Sequence, residues 1–297
     1  MDLLQAIILG IVQGLTEFIP ISSTGHLVFA SRLTNVYNGN AQQITATMAV
    51  IQMGTLVAAI VYFASDILNI IAAFFRDHWA LIMRRRGISY SGTNGVRPMW
   101  LSEDAWLGWL IILGSIPIGV VGLWFKDLIE GPATKNLWVI ATMMIVVAVG
   151  LLLAEMIGSQ RKGLKEFGLI DAIAVGFAQV LSLVPGASRS GSTIMGGLLA
   201  GQQREAAARF SFLLMIPAIT ASGLLEMREA VHILSKDDLI PLVVGTIVAG
   251  IVGYISIWFL LAFLRKRSTG IFIAYRIVVG AGILVCLYLG VIDPHIN

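Results

Sequence analysis

The chain has 297 residues, of which 57% are hydrophobic and only 12% charged, and its mean hydropathy is +0.87. A soluble domain carries about 25% charged residues, so the composition excludes a water-solvated fold and points to an all-α polytopic membrane protein. The net charge of +3 gives no reason to expect a nucleic-acid partner, and the sole cysteine, Cys286, excludes an intramolecular disulfide or a cysteine-rich zinc site.

The N-terminal Met1-Asp2-Leu3 lacks the basic region of a secretory signal, so the first segment is expected to stay in the mature protein. From Leu3 to Leu15 the chain is apolar but too short to cross a bilayer, which takes about 20 residues. Then comes Gly14-Leu-Thr-Glu17-Phe-Ile-Pro20-Ile-Ser22-Ser23-Thr24-Gly25-His26, an acid, hydroxyls, an imidazole and a helix breaker in oily surroundings. Residues 2–31 are longer than one span and too short for two, and read as a re-entrant helix–loop–helix hairpin. Broken backbone at membrane depth is tolerated only beside protein or a water-filled cavity, and ionisable groups there mark function. Spans are expected at 45–64, 105–125 and 137–157, with a loop over 65–104. A second interrupted region, 169–200, holds Val184-Pro185-Gly186-Ala187-Ser188-Arg189-Ser190-Gly191 and reads as a second hairpin. Three further spans are expected at 209–228, 239–264 and 271–290. Trp79, Trp100, Trp106, Trp124 and Trp138 fall near span ends, where aromatic belts form.

Lysine and arginine orient this layout. Arg76, Arg84, Arg85, Arg86, Arg97, Arg161, Lys162, Lys165, Arg204, Arg209, Arg265, Lys266 and Arg267 lie on one side; only Arg32, Lys126, Lys135, Arg228 and Lys236 lie on the other. The richer side is cytoplasmic by the positive-inside rule. The first hairpin then enters from outside and the second from the cytoplasm. Three spans follow each hairpin, so the halves 1–157 and 158–297 form an inverted-topology repeat within one membrane domain. An ungapped offset of 166 positions supports this: Gly10 meets Gly176, Gln13 meets Gln179, Ser22 meets Ser188 and Gly25 meets Gly191. In the same register Glu17 meets Leu183 and Ser23 meets Arg189, so the halves differ where chemistry is expected.

Tips entering from opposite faces bring Glu17, Ser22, Ser23, Thr24 and His26 toward Ser188, Arg189 and Ser190. An arginine, hydroxyls and free N–H groups at helix starts suit a phosphate. Ser23 is a candidate nucleophile, weak until a base removes its proton, and either Glu17 or His26 is suited to be that base; His26 as nucleophile and direct attack by water are the alternatives. Glu17 is equally suited to hold a divalent cation. Other readings stand beside these: helix caps for Ser22 and its neighbours, a structural hydrogen bond for His26, and an ion pair between Glu17 and Arg189. Gln13, four residues before Glu17, shares its helix face and is read as a neutral hydrogen-bonding group. Arg276 is read as pairing with an acid such as Glu155, Gln52 as bonding between helices, and Cys286 as a small buried hydrophobe.

Gln13-x-x-x-Glu17-Phe-Ile-Pro20-Ile-Ser22-Ser23-Thr24-Gly25-His26, with Pro185-Gly186-Ala187-Ser188-Arg189-Ser190-Gly191, closely resembles the bacterial undecaprenyl-diphosphate phosphatases linked to bacitracin resistance. The resemblance covers essentially the whole chain. It implies six spans plus two re-entrant hairpins in inverted repeats, often as a homodimer in the bacterial inner (plasma) membrane. The implied activity is hydrolysis of undecaprenyl diphosphate, a polyprenyl diphosphate lipid, to undecaprenyl phosphate and inorganic phosphate, which recycles the carrier for peptidoglycan synthesis. Magnesium or calcium is implied as activator. The family's acidic, serine, histidine and arginine positions fall on Glu17, Ser23, His26 and Arg189. Its first acidic position is the amide Gln13 here, which weakens any two-carboxylate metal site. Ser22, Thr24, Ser188 and Ser190 complete the expected substrate-binding set, in a pocket opening outward. The rival class is a lipid flippase or transporter, since inverted repeats with broken helices serve transport too.

Overall fold

The structure is a computed structural model, described here for residues 1–83, 97–125 and 136–294. Arg84, Arg85, Arg86, Lys126 and Lys135, which entered the charge count, lie outside the described residues. The described residues form a helical bundle. In chain order the helices are α1 (Leu3–Phe18), α2 (Ser23–Leu33), α3 (Ala41–Tyr62), α4 (Ala64–Ile82), α5 (Glu103–Trp124) and α6 (Leu137–Ile157). They continue with α7 (Leu169–Val180), α8 (Arg189–Leu199), α9 (Arg204–Ile233), α10 (Leu239–Leu264) and α11 (Gly270–Tyr288). Six of them (α3, α5, α6, α9, α10 and α11) are long and apolar enough to cross a bilayer, and the chain is a multi-pass membrane protein.

Polar residues at the ends of oily runs start these helices. The Asp2 carboxylate accepts from the Gln5 N–H at 2.7 Å, and the Gln5 side chain accepts from the Asp2 N–H at 2.9 Å, a reciprocal cap on α1. Asn40, Ser102 and Asn136 cap α3, α5 and α6 one way, each with a side-chain oxygen that accepts a first-turn N–H. The stretch expected as a loop after α3 begins with a helix: α4 runs Ala64–Ile82. Its inner face, with Ile70 and Ala73, is buried, while Leu68, Ile71, Phe75, Trp79 and Ile82 form an exposed apolar stripe. The mixture of Asp66, Arg76 and Asp77 with that stripe hid the helix from a search for continuous apolar runs.

The two hairpins coincide at the 166-residue offset. α2 and α8 begin at Ser23 and Arg189, end at Leu33 and Leu199, and are 11 residues each. Their packing is reciprocal. α1 lies on α10 and α7 on α5; α3 meets α10 and α9 meets α5; α3 pairs with α9 and α6 with α11. Glycines permit the closest of these approaches. A Cβ on Gly10 would collide with the carbonyl oxygen of Gly245, and one on Gly176 with that of Gly114. Gly10 and Gly176 are themselves 166 positions apart, so each hairpin seats its first helix on a span of the other half by the same device.

Candidate active site

Each hairpin breaks before a serine held at positive φ. Ser22 (φ 81°) caps α2 by accepting from the Gly25 N–H at 3.4 Å; Ser188 (φ 70°) caps α8 by accepting from the Gly191 N–H at 3.2 Å. Such backbone is strained by about 1–3 kcal/mol in a non-glycine residue and persists only where the surroundings enforce it. The caps take one N–H each, and the first-turn N–H groups of both helices stay outside the helical ladder.

The tips touch. Ser190 Oγ donates to the Ile19 carbonyl oxygen at 3.5 Å. Between them lies a polar cavity of ≈140 Å³ lined by Gln13, Glu17, Ser23 and Thr24 from the first hairpin, Gln52 from α3, and Ser182, Ser188 and Arg189 from the second. Glu17 is almost fully buried at 6% exposure. It accepts from Gln13 Nε2 at 3.1 Å and from Gln52 Nε2 at 3.4 Å, and faces Arg189 Nη1 at 3.5 Å. Gln52 therefore touches the site as well as linking helices. The Arg189 Nε and Nη1 atoms are buried without a hydrogen-bond partner. Unmade bonds on a buried guanidinium are costly, so this group is prepared for an anionic ligand.

Three expected site residues stand elsewhere. The Ser22 side chain is buried in its cap, and Ser190 Oγ is engaged with Ser188 Oγ at 3.2 Å and with Ile19. His26 lies on the other face of α2, lining a separate, largely apolar cavity of ≈550 Å³ with Tyr275. Its Nδ1 lies 2.6 Å from the Ser22 carbonyl oxygen and its Nε2 lies 2.6 Å from the Tyr275 hydroxyl. Nδ1–H donates to that carbonyl, which leaves Nε2 to accept from tyrosine. The helical turn explains the split: Ser23, Thr24 and Leu27 line the polar cavity, and residue 26 points away from it.

Arg276 also departs from expectation. Glu155 is taken by Arg204 at 2.7 Å and by the Thr269 N–H and hydroxyl at 2.8 Å each. Arg276 is fully buried and donates instead to carbonyl oxygens: Met144 at 3.0 Å, Met143 at 3.3 Å, Pro20 at 3.2 Å, and Gly186 and Ala187 at 3.0 Å each. An arginine alone in an apolar span was the signal in the sequence; its carbonyl partners carry no residue-type signature.

Glu17 is the one carboxylate on the cavity, and no group of three or more His, Cys, Asp or Glu suited to a metal occurs among the described residues. One carboxylate fits a magnesium-type ion that would keep most of its waters, not a cage made wholly by protein.

Fold and site together define a helical membrane protein with a polar pocket, holding one arginine and one carboxylate, between two pairs of broken helices. Residues 6–282 match the family model described as bacitracin resistance protein BacA, and the chain belongs to that family. It is 45% identical to the undecaprenyl-diphosphatase of Syntrophobacter fumaroxidans over 285 residues, which cover 96% of this chain and 97% of that protein. It is 44% identical to the undecaprenyl-diphosphatase of Chlorobium chlorochromatii, with 99% and 100% covered, and 42% identical to that of Myxococcus xanthus, with 99% and 92% covered.

Proposed function

We propose that this protein hydrolyses undecaprenyl diphosphate to undecaprenyl phosphate and inorganic phosphate, renewing the lipid carrier for cell-wall synthesis and thereby conferring bacitracin resistance. The observation that carries the reading is the apposition of Arg189 with Glu17 and Ser23 around one polar cavity. The terminal phosphate is held by the Arg189 guanidinium and by the first-turn N–H groups of α2 and α8, whose dipoles favour negative charge. Ser23 Oγ attacks the terminal phosphorus as Glu17 takes its proton. The bond to the bridging oxygen breaks, undecaprenyl phosphate leaves, and water then releases phosphate from the serine. Arg189 stabilises the charge on the equatorial oxygens, the main task in phosphoryl transfer. Gln13 and Gln52 orient Glu17. His26 acts through the hairpin, fixing the Ser22 carbonyl behind the nucleophile's helix.

Glu17 would hold a divalent cation, magnesium or calcium, which would supply further neutralisation of phosphoryl charge. The charge asymmetry favours a bacterial plasma-membrane location with re-entrant hairpins in inverted repeats and a pocket opening to the outer side. The resemblance favours a homodimer. Phosphate release by purified protein in detergent tests the activity, because no compartments exist there for transport to act between. Release that is lost in Ser23→Ala and Glu17→Ala supports it; absence of release by the unaltered protein refutes it.

A further inference from the structure

We propose that Arg276 is a positioning residue for this site: it pins the tips of both hairpins to α6 through their carbonyl oxygens, and so sets the spacing between Arg189 and the Glu17–Ser23 side. The proposal builds on the phosphatase reading for its kinetic consequence but not for its structural one.

Arg276 is 0% exposed, and its five hydrogen bonds all go to main-chain carbonyl oxygens. A buried cation without a carboxylate is expensive unless other polar groups compensate it, and here the compensation comes from three segments remote in sequence. Pro20 belongs to the first tip, Gly186 and Ala187 to the second, and Met143 and Met144 to α6. The guanidinium is a planar fork with donors in fixed directions. Satisfying it requires these carbonyls at one set of positions, so the fork acts as a gauge for tip separation.

The neighbouring packing fits that role. Gly186 (φ +93°) sits so close to α6 that a Cβ would collide with the Ile140 backbone. Gly191 leaves room for the fork itself, since a Cβ there would lie 3.3 Å from Arg276 Nη1. The geometry also aims donors. A trans peptide points its N–H opposite its carbonyl. With the Ala187 carbonyl held by Arg276, the Ser188 N–H is directed to the far side, and Ser188 lines the polar cavity. Arg276 touches none of the reacting groups. It acts through the peptides that carry them.

The test uses the full-length protein in detergent with Cys286→Ser, Leu15→Cys and Leu181→Cys, spin-labelled at the two new cysteines. Leu15 and Leu181 are partly exposed (43% and 37%), lie one turn before each tip and do not line the polar cavity. Arg276→Met is expected to broaden the distance distribution between labels; Arg276→Lys, with its charge but not the fork, is expected to restore it only in part. Turnover in Arg276→Met is expected to fall about 100-fold, the scale of a misplacement of roughly 1 Å, with KM changed far less than kcat. Arg189→Ala, the control, is expected to lose turnover with the distance distribution unchanged. An unaltered distribution in Arg276→Met overturns the proposal whatever the turnover, as does an altered distribution with normal turnover. If Arg276→Met does not accumulate, the same criteria apply to Arg276→Lys. Failure of the unaltered protein to release phosphate refutes the phosphatase reading alone, because the distances still report on Arg276.

Discussion

Arg189 Nη1 stands 3.5 Å from Glu17 Oε1, and the two side chains come from different hairpins, one in each half of the chain. The spacing is that of an ion pair without a hydrogen bond, and neither Nε nor Nη1 of Arg189 has a hydrogen-bond partner. A buried pair of this kind contributes little net stability. Its value lies in holding a cation where phosphoryl charge develops. Arg189→Ala is therefore expected to lower turnover at least ~100-fold. Arg189→Lys is expected to recover little, because a point charge does not reproduce a bidentate fork. Steady-state phosphate release measures both.

Glu17→Gln separates binding from chemistry by sign. The substitution keeps shape and removes the negative charge that faces Arg189. Inorganic phosphate should then bind more tightly, because one like-charge repulsion is relieved, while turnover falls by about 100-fold for loss of the base. Calorimetric phosphate titration alongside the turnover assay checks this; weaker phosphate binding in Glu17→Gln contradicts it.

His26 faces Tyr275 and not the polar cavity, and its two ring nitrogens are both engaged. His26→Gln and Tyr275→Phe should each cost less than about tenfold in turnover, and the double variant little more than the worse single one, as partners in one contact are non-additive. A loss of His26→Gln activity comparable to that of Ser23→Ala would return the histidine to proton transfer.

Gly10 and Gly176 occupy equivalent places in the two hairpins, each against a backbone carbonyl of a span from the other half. Alanine at either position overpacks a contact in which the obstacle is main chain and cannot rotate aside. Each substitution is expected to destabilise the protein by about 1–3 kcal/mol. A lowered thermal unfolding midpoint in detergent is the readout, and an unchanged midpoint in both contradicts the seating of α1 on α10 and of α7 on α5.

Thr24 is exposed and lines the polar cavity. In a Cys286→Ser background, Thr24→Cys should react with a membrane-impermeant thiol reagent added outside intact cells. Reaction only after the membrane is opened would place the mouth on the cytoplasmic side.

The spans were readable because apolar runs of bilayer length leave few alternatives, and the hairpins because Pro20 and Pro185 interrupt runs too long for one crossing. The cluster of Gln13, Glu17, Ser23, Thr24, Ser188 and Arg189 was readable from the same interruptions. What escaped depended on direction in space. His26 belongs to the motif but leaves the cavity by the turn of α2; Ser22 and Ser190 belong to it and are consumed in capping and tip contacts. Arg276 was visible as a charge in an oily helix, yet its partners are carbonyl oxygens common to every residue type. Helix α4 was missed because Asp66, Arg76 and Asp77 interrupt its apolar residues.

The most direct measurement is a structure of the protein with a non-hydrolysable diphosphate lipid bound. Its terminal phosphorus should lie between the two tips, with an oxygen on the Arg189 guanidinium and Ser23 Oγ opposite the bridging oxygen. A diphosphate seated instead in the cavity beside His26 and Tyr275, with Arg189 and Glu17 untouched, would contradict the account.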